Sequence, residues 1–210
     1  SMSILIGVLA AGVSAIMALI LGICAATLGK KVDSAISFAI DTVMGIPHIL
    51  LLLLISYAMG KGLKGVIAGV ALTHWTSLAR LIRGEVMQLR ESEYIQIAGK
   101  LGLGKWEIAK KHIVPHVLPQ FIVGLVLLFP HAILHESSIT FLGFGLSTEQ
   151  PAIGVILSES MRYLIMGKWW LAVFPGMMLV LTVVLFEKGG TAIRQLLDPG
   201  SVHKLSLIHI

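Results

Sequence analysis

The sequence predicts an all-α, polytopic membrane helical bundle. Three observations carry that prediction. First, 56% of the 210 residues are hydrophobic and only 13% are charged, against about 25% charged in ordinary soluble domains. Second, mean hydropathy is +0.92. Third, the apolar residues stand in uninterrupted runs, with the basic residues confined to short connections between them.

Five runs have span character. Ile4 to Leu28 carries no charge, and Ser34 to Gly60 carries only Asp41. Gly65 to Ala79 is shorter than the roughly 20 residues a span needs, but it extends past Arg80 if that side chain snorkels. Val117 to Gly145 is long and holds Pro130, and Trp169 to Phe186 closes the series. Inside hydrocarbon the backbone must bond to itself, so spans are helices or closed barrels. Barrel strands alternate in segments of about 10 residues, and the run Leu50 to Leu54 does not. Pro47 and Pro130 are expected to kink their helices. Between Leu146 and Lys168 the apolar stretch Ala152 to Leu157 is too short to span. It is expected to form an outer re-entrant or interfacial helix, with Gly154 permitting close packing.

Charge sets the orientation. With Lys30 and Lys31 placed inside, alternation puts twelve Lys/Arg inside and four outside, the sign of the positive-inside rule. The segment from Arg80 to Lys111 is then cytoplasmic. The formal charge of +5 is spread over loops rather than gathered in a patch, which excludes nucleic acid as the partner. The single cysteine, Cys24, forms no internal disulfide and no metal-cluster spacing. The N-terminus lacks the basic region and cleavage pattern of a signal peptide.

Within the inner segment the spacing is specific. Gln96-Ile97-Ala98 is followed by three residues, Gly102, nine residues, and then His112-Ile113-Val114-Pro115. This resembles the EAA loop of ABC importer permeases, E-A-A-x3-G-x9-I-x-L-P, with outright matches at Ala98, Gly102 and Pro115. The resemblance continues along Ile4 to Pro199. Gly29-Lys30-Lys31-Val32-Asp33 resembles the G-G-R-V-D turn of the dipeptide/oligopeptide/nickel permease family. Asp41 with Ile46-Pro47, Trp75 with Ala79-Arg80-Leu81-Ile82-Arg83-Gly84, Ser138 to Gly145, Phe174-Pro175-Gly176 and Leu197-Asp198-Pro199 are similar to further motifs of that family. Two departures stand out: Gln96 replaces the first glutamate, and Gly190 to Arg194 lacks the family's acid. The family also carries one more N-terminal span, so residues 1–199 are expected to be an importer transmembrane domain lacking that span. Residues 200–210 form a tail. Leu205 to Ile210 resembles the translation of a transposon sequencing adapter and is expected to be an artefact.

The resemblance implies a permease subunit rather than an enzyme, in a bacterial or archaeal cytoplasmic membrane. It implies two ATPase subunits, a second homologous permease and an extracytoplasmic substrate-binding protein as partners. No G-x-x-x-x-G-K-[ST] occurs, since every Gly-Lys pair lacks the following Ser or Thr. The phosphate cradle is therefore expected on another chain, with ATP and magnesium bound there and no cofactor on this one. Glu93, Gln96, Ile97, Ala98, Gly102 and Pro115 are expected to couple the chain to its ATPase. Glu93 to Lys100 holds good helix formers, and Gly99 and Gly102 are placed to end the helix.

Charges within the spans are the remaining candidates. Asp41 is expected to pair with an arginine or reach headgroups, and Arg80 and Arg83 to anchor a helix end. His131 and His135 are four residues apart on one helix face. Two readings stand for them: a packing pair bonded to backbone or water, or a contact in the translocation pathway with a peptide terminus or a metal such as Ni²⁺. Glu136, about 100° around the helix, belongs with the pathway candidates. No H-E-x-x-H is formed, because residue 139 is Ile139. The substrate is expected to be a di- or oligopeptide or nickel. An ion-gradient-driven secondary transporter is the alternative, and it predicts inverted repeats that the sequence does not show.

Overall fold

A computed structural model describes residues 2–197, and all regular structure among them is helical. The Asp198-Pro199 part of the closing motif and the tail lie outside the described residues. Helix α1 (Met2–Thr27) is followed by α2 (Lys30–Gly45), α3 (His48–Ala58) and α4 (Gly62–Glu91). Then come α5 (Glu93–Lys100), α6 (Lys105–Ile108), a π-helical turn (Ala109–Ile113) and α7 (Val114–Phe141). Helix α8 (Ile153–Leu164) and α9 (Trp170–Leu197) complete the order.

Four helices are long and apolar enough to span, and five if α2 with α3 is one bent span. The second expected span is thus broken rather than kinked, with a bend of 98°. Proline disfavours a helical conformation in the residue before it. Ile46 is accordingly extended (φ −92, ψ 136), so α2 stops at Gly45 and α3 restarts at His48. Pro130 acts differently: α7 runs through it without a break.

Helix α4 is the hub, and α1 packs along it more extensively than any other pair. The buried face of α1 is made largely of small residues, with Gly7 and Ala11 toward α7 and Ala15, Ala18 and Gly22 in the cluster with α4. A Cβ on Gly22 would lie 2.9 Å from the Ala79 carbonyl, so the backbones touch directly. Small residues permit this approach where lipid offers no hydrophobic drive. Ser14 adds an interhelical hydrogen bond, donating to the Ala71 carbonyl at 3.0 Å. Arg80 and Arg83 are not isolated anchors. Arg80 pairs with Asp41 and Arg83 with Asp33, which ties α2 to α4. Arg90 donates to the Ala26 carbonyl, satisfying one of the open carbonyls at the end of α1.

At the opposite end α8 lies against α7. Gly154 is needed there, because a Cβ would sit 2.7 Å from the Ser137 carbonyl oxygen. The amide of Met2 donates to the Pro151 carbonyl at 3.3 Å, which joins the start of α1 to the loop before α8. Trp169 and Trp170 open α9 as partly exposed aromatics, the position of an interfacial belt. Helix α9 contacts α7 and α8 and leaves most of its apolar surface uncovered.

Candidate functional site

Two regions bring the expected residues together. The first is the elbow formed by α5, α6 and the π turn. Helix α5 is amphipathic across its short length. Ile95 and Ala98 face inward, and Ile95 joins Val86, Leu89 and Ile113 in the inner half of the core. Tyr94, Ile97, Leu101 and Trp106 face outward, with Ile97 53% and Trp106 81% exposed. Glu93, in the first turn, and Gln96 are exposed as well. Glu93 stands where an acid complements the helix dipole. Gln96 donates through Nε2 to the Glu91 carbonyl at 3.1 Å, so it braces the α4–α5 corner. Pro115 is exposed in the first turn of α7.

Ala98 differs from the other members of the expected coupling set. It is 9% exposed, so it seats the helix rather than presenting surface. Gly99 also differs from expectation, since it lies inside α5 rather than ending it. The stop is made at Gly102, which has φ +93. Its amide donates to the Gly99 carbonyl at 3.1 Å, and the Leu103 amide donates to the Ala98 carbonyl at 3.2 Å. These two bonds define a Schellman cap, and the left-handed residue within it is normally glycine.

The elbow does not end in a loop before the next span. From Trp106 to Phe141 the chain is one continuous 36-residue helical rod. The expected start at Val117 is therefore eleven residues late. Within the rod, the Val114 amide bonds to the Ala109 carbonyl, five residues back, which makes the π turn.

The second region is a cavity of about 740 Å³ between the α2–α3 break, α4 and α7. His131 and His135 both line it, as do His48 and His74. The rings of His48, His74 and His135 form a cluster with centroids 4.6 to 4.9 Å apart. Their ligand nitrogens all lie within 4.8 Å of one another. His131 lies one turn before His135 on the cavity wall and is not a member of this triad. The expected pair is thus divided: His135 belongs to the cluster, and its neighbours come from α3 and α4. Glu136 is turned away from the cavity and is 0% exposed. It accepts hydrogen bonds from Thr140 Oγ1 at 3.0 Å and Ser137 Oγ at 3.4 Å, so its place is in the packing of α7. The 100° separation from His135 accounts for this placement.

His48 and His74 were missed because neither forms a short-range pair with another histidine. A signal existed in the count: four of the eight histidines, at 48, 74, 131 and 135, fall within apolar segments, where ionisable groups are costly.

Residues 18–201 match the family described as the inner membrane component of binding-protein-dependent transport systems. The chain belongs to that family. It is a multi-pass inner-membrane component, as the apolar helices require. Among its relatives is the Dipeptide transport system permease protein DppC of Bacillus subtilis (strain 168), 31% identical over 94% of this chain. The chain spans 62% of that relative's length. The Probable D,D-dipeptide transport system permease protein DdpC of Escherichia coli (strain K12) is 30% identical over 97% of the chain and 68% of its own length. A solved structure of the MetNI methionine ABC transporter, in an inward-facing conformation, shares the fold. Its TM-score is 0.73 at 17% identity, over 93% of both chains.

Proposed function

We propose that this chain is one permease half of an ATP-driven ABC importer for di- or oligopeptides. Substrate arrives from an extracytoplasmic binding protein and crosses between this subunit and a second, homologous permease. ATP is hydrolysed, with magnesium, on two separate subunits docked at the cytoplasmic elbow. The observation that carries the reading is the division of faces on α5. Ile95 and Ala98 anchor the helix in the core, while Tyr94, Ile97, Leu101 and Trp106 offer apolar surface on a cytoplasmic loop. Such a surface on a loop is the character of a protein interface. The relatives named as dipeptide and oligopeptide permeases support the peptide class.

Docking at the elbow lets the partner's movement reach the cavity. Force on α6 passes along one continuous helix to His131 and His135. The test is reconstitution of the complete transporter in liposomes with ATP inside or absent. Ile97→Asp and Trp106→Ala are expected to lower copurification of the ATPase subunits and peptide uptake together. Uptake driven by an ion gradient, with no ATPase subunit present, would overturn the reading in favour of a secondary transporter.

A further inference from the structure

We propose that His48, His74 and His135 form a three-imidazole binding site for a borderline divalent transition-metal ion of the Ni²⁺, Co²⁺, Zn²⁺ and Cu²⁺ group. The site rests first on convergence. Helices α3, α4 and α7 each contribute one imidazole to a single point on the cavity wall, with ligand atoms within 4.8 Å of one another. Around a bound ion with bonds of 2.0–2.1 Å, tetrahedral geometry places the nitrogens about 3.4 Å apart. Binding draws the nitrogens together by up to about 1.4 Å.

The second observation is the state of the nitrogens. His74 is 8% exposed. Its Nδ1 lies 3.0 Å from the Val70 carbonyl oxygen. A carbonyl can only accept, so Nδ1 carries the proton and the lone pair is on Nε2. That Nε2 is buried with no hydrogen-bond partner. His48 Nε2 is in the same condition. Unpaired buried polar atoms are costly, and here two of them are in one cluster. A ring whose far N–H is fixed by a backbone carbonyl is the arrangement that orients metal-bound histidine.

The donor set chooses the ion class. Three neutral nitrogens suit Ni²⁺, Co²⁺, Zn²⁺ and Cu²⁺, whereas Mg²⁺ and Ca²⁺ require oxygen. The triad contains no carboxylate or thiolate. An ion held there keeps its charge, facing a cavity that leaves room for an outside ligand. Three protein ligands with an open position make a site for exchange rather than a closed structural one. Its use as a station for cargo rests on the importer reading above; metal binding itself does not.

The test uses the complete transporter, purified without a polyhistidine tag and stripped of metal. Equilibrium dialysis with Ni²⁺ should find one ion per copy of this chain. Pulsed EPR of the Cu²⁺-loaded wild type should show coupling to imidazole nitrogens. His74→Gln, His48→Ala and His135→Ala should each weaken Ni²⁺ at least about 100-fold, the upper end of the cost of losing a mere outer-shell partner. His116→Ala, on the elbow side of α7, should bind as wild type. Wild-type Cu²⁺ spectra without imidazole coupling would overturn the proposal, and so would Ni²⁺ binding that survives when His74→Gln, His48→Ala and His135→Ala are combined. Neither readout uses ATP or transport, so the result is independent of the importer reading.

Discussion

Asp33 accepts hydrogen bonds from both Nε and Nη2 of Arg83, one on each carboxylate oxygen, and so joins the start of α2 to the C-terminal half of α4. Both side chains are only 26% exposed. The neighbouring Asp41–Arg80 pair is single-pronged and well exposed. Bidentate, partly desolvated pairs hold geometry that exposed pairs do not.

Asp33→Asn should therefore destabilise the chain by about 2 kcal/mol, and Asp41→Asn by no more than about 1 kcal/mol. Thermal unfolding of the purified complex at low and high salt checks the ranking. Equal shifts for the two variants, or a larger one for Asp41, would show that the bidentate geometry contributes nothing special.

Gly102 provides the cleanest backbone test. A Cβ there meets nothing within 4 Å, so its φ of +93 is the sole obstacle to a side chain. Gly102→Ala should cost about 1–2 kcal/mol of local stability, while Gly104→Ala, in open space without a positive φ, should cost little. With the cap strained, α5 should lose register, and ATPase copurification should fall for Gly102→Ala alone. Gly102→Asn should fall between the two, because Asn tolerates the left-handed region. Matched behaviour of the Gly102 and Gly104 variants is the outcome that counts against the Schellman account.

Gly154 tests packing instead of backbone freedom. The Ser137 carbonyl oxygen and Cα would lie 2.7 and 2.8 Å from a Cβ, and neither is a flexible side-chain end. Gly154→Val should lift α8 from α7 and raise protease cleavage around residues 146–152. Gly12→Ala, where a Cβ meets nothing, should leave the pattern unchanged. If cleavage is insensitive to Gly154→Val, α8 is not held by this contact.

The number and order of the spans were legible because four are long apolar runs and the shorter third, Gly65 to Ala79, could extend past a snorkelling Arg80, while hydrocarbon forces the backbone to bond to itself. The short helix α8 was legible for the complementary reason: its apolar stretch could not cross. The break at Pro47 was harder to read, since the same Ile-Pro rule that ends α2 does not say whether a helix bends by 20° or 98°. The continuity of the elbow with α7 was hidden by Pro115 and Pro119, which read as a restart. The chain instead absorbs Pro115 by widening one turn. The histidine triad was invisible to spacing because its members lie on three helices, and only the packing of α3 and α4 against α7 unites them. The inward turn of Ala98 followed from amphipathic period in α5, but a motif match treats every matched position as contact surface.

The π turn at Ala109–Ile113 allows a test of how the elbow is joined to the rod. In a regular α-turn the Pro115 ring would meet the carbonyl four residues earlier, at a cost of about 3 kcal/mol. The bond from the Val114 amide to the Ala109 carbonyl makes a wider ring directly before that proline. Such a turn accommodates about one extra residue without rotating the helix on either side. Deleting Lys110, which is exposed, should therefore tighten the turn toward α and force the clash. The elbow should be destabilised and ATPase copurification should drop. Adding Pro115→Ala to the deletion removes the clash while the two flanks keep their faces, so assembly should recover. Deleting Gln120 instead, within regular α7, swings everything before it by about 100° relative to the cavity wall, and Pro115→Ala should not rescue that variant. The four variants are compared by copurification of the ATPase subunits, with helix content from circular dichroism as the check on folding. Recovery in the Gln120 deletion, or none in the Lys110 deletion, would refute the view that Pro115 is what the widened turn accommodates.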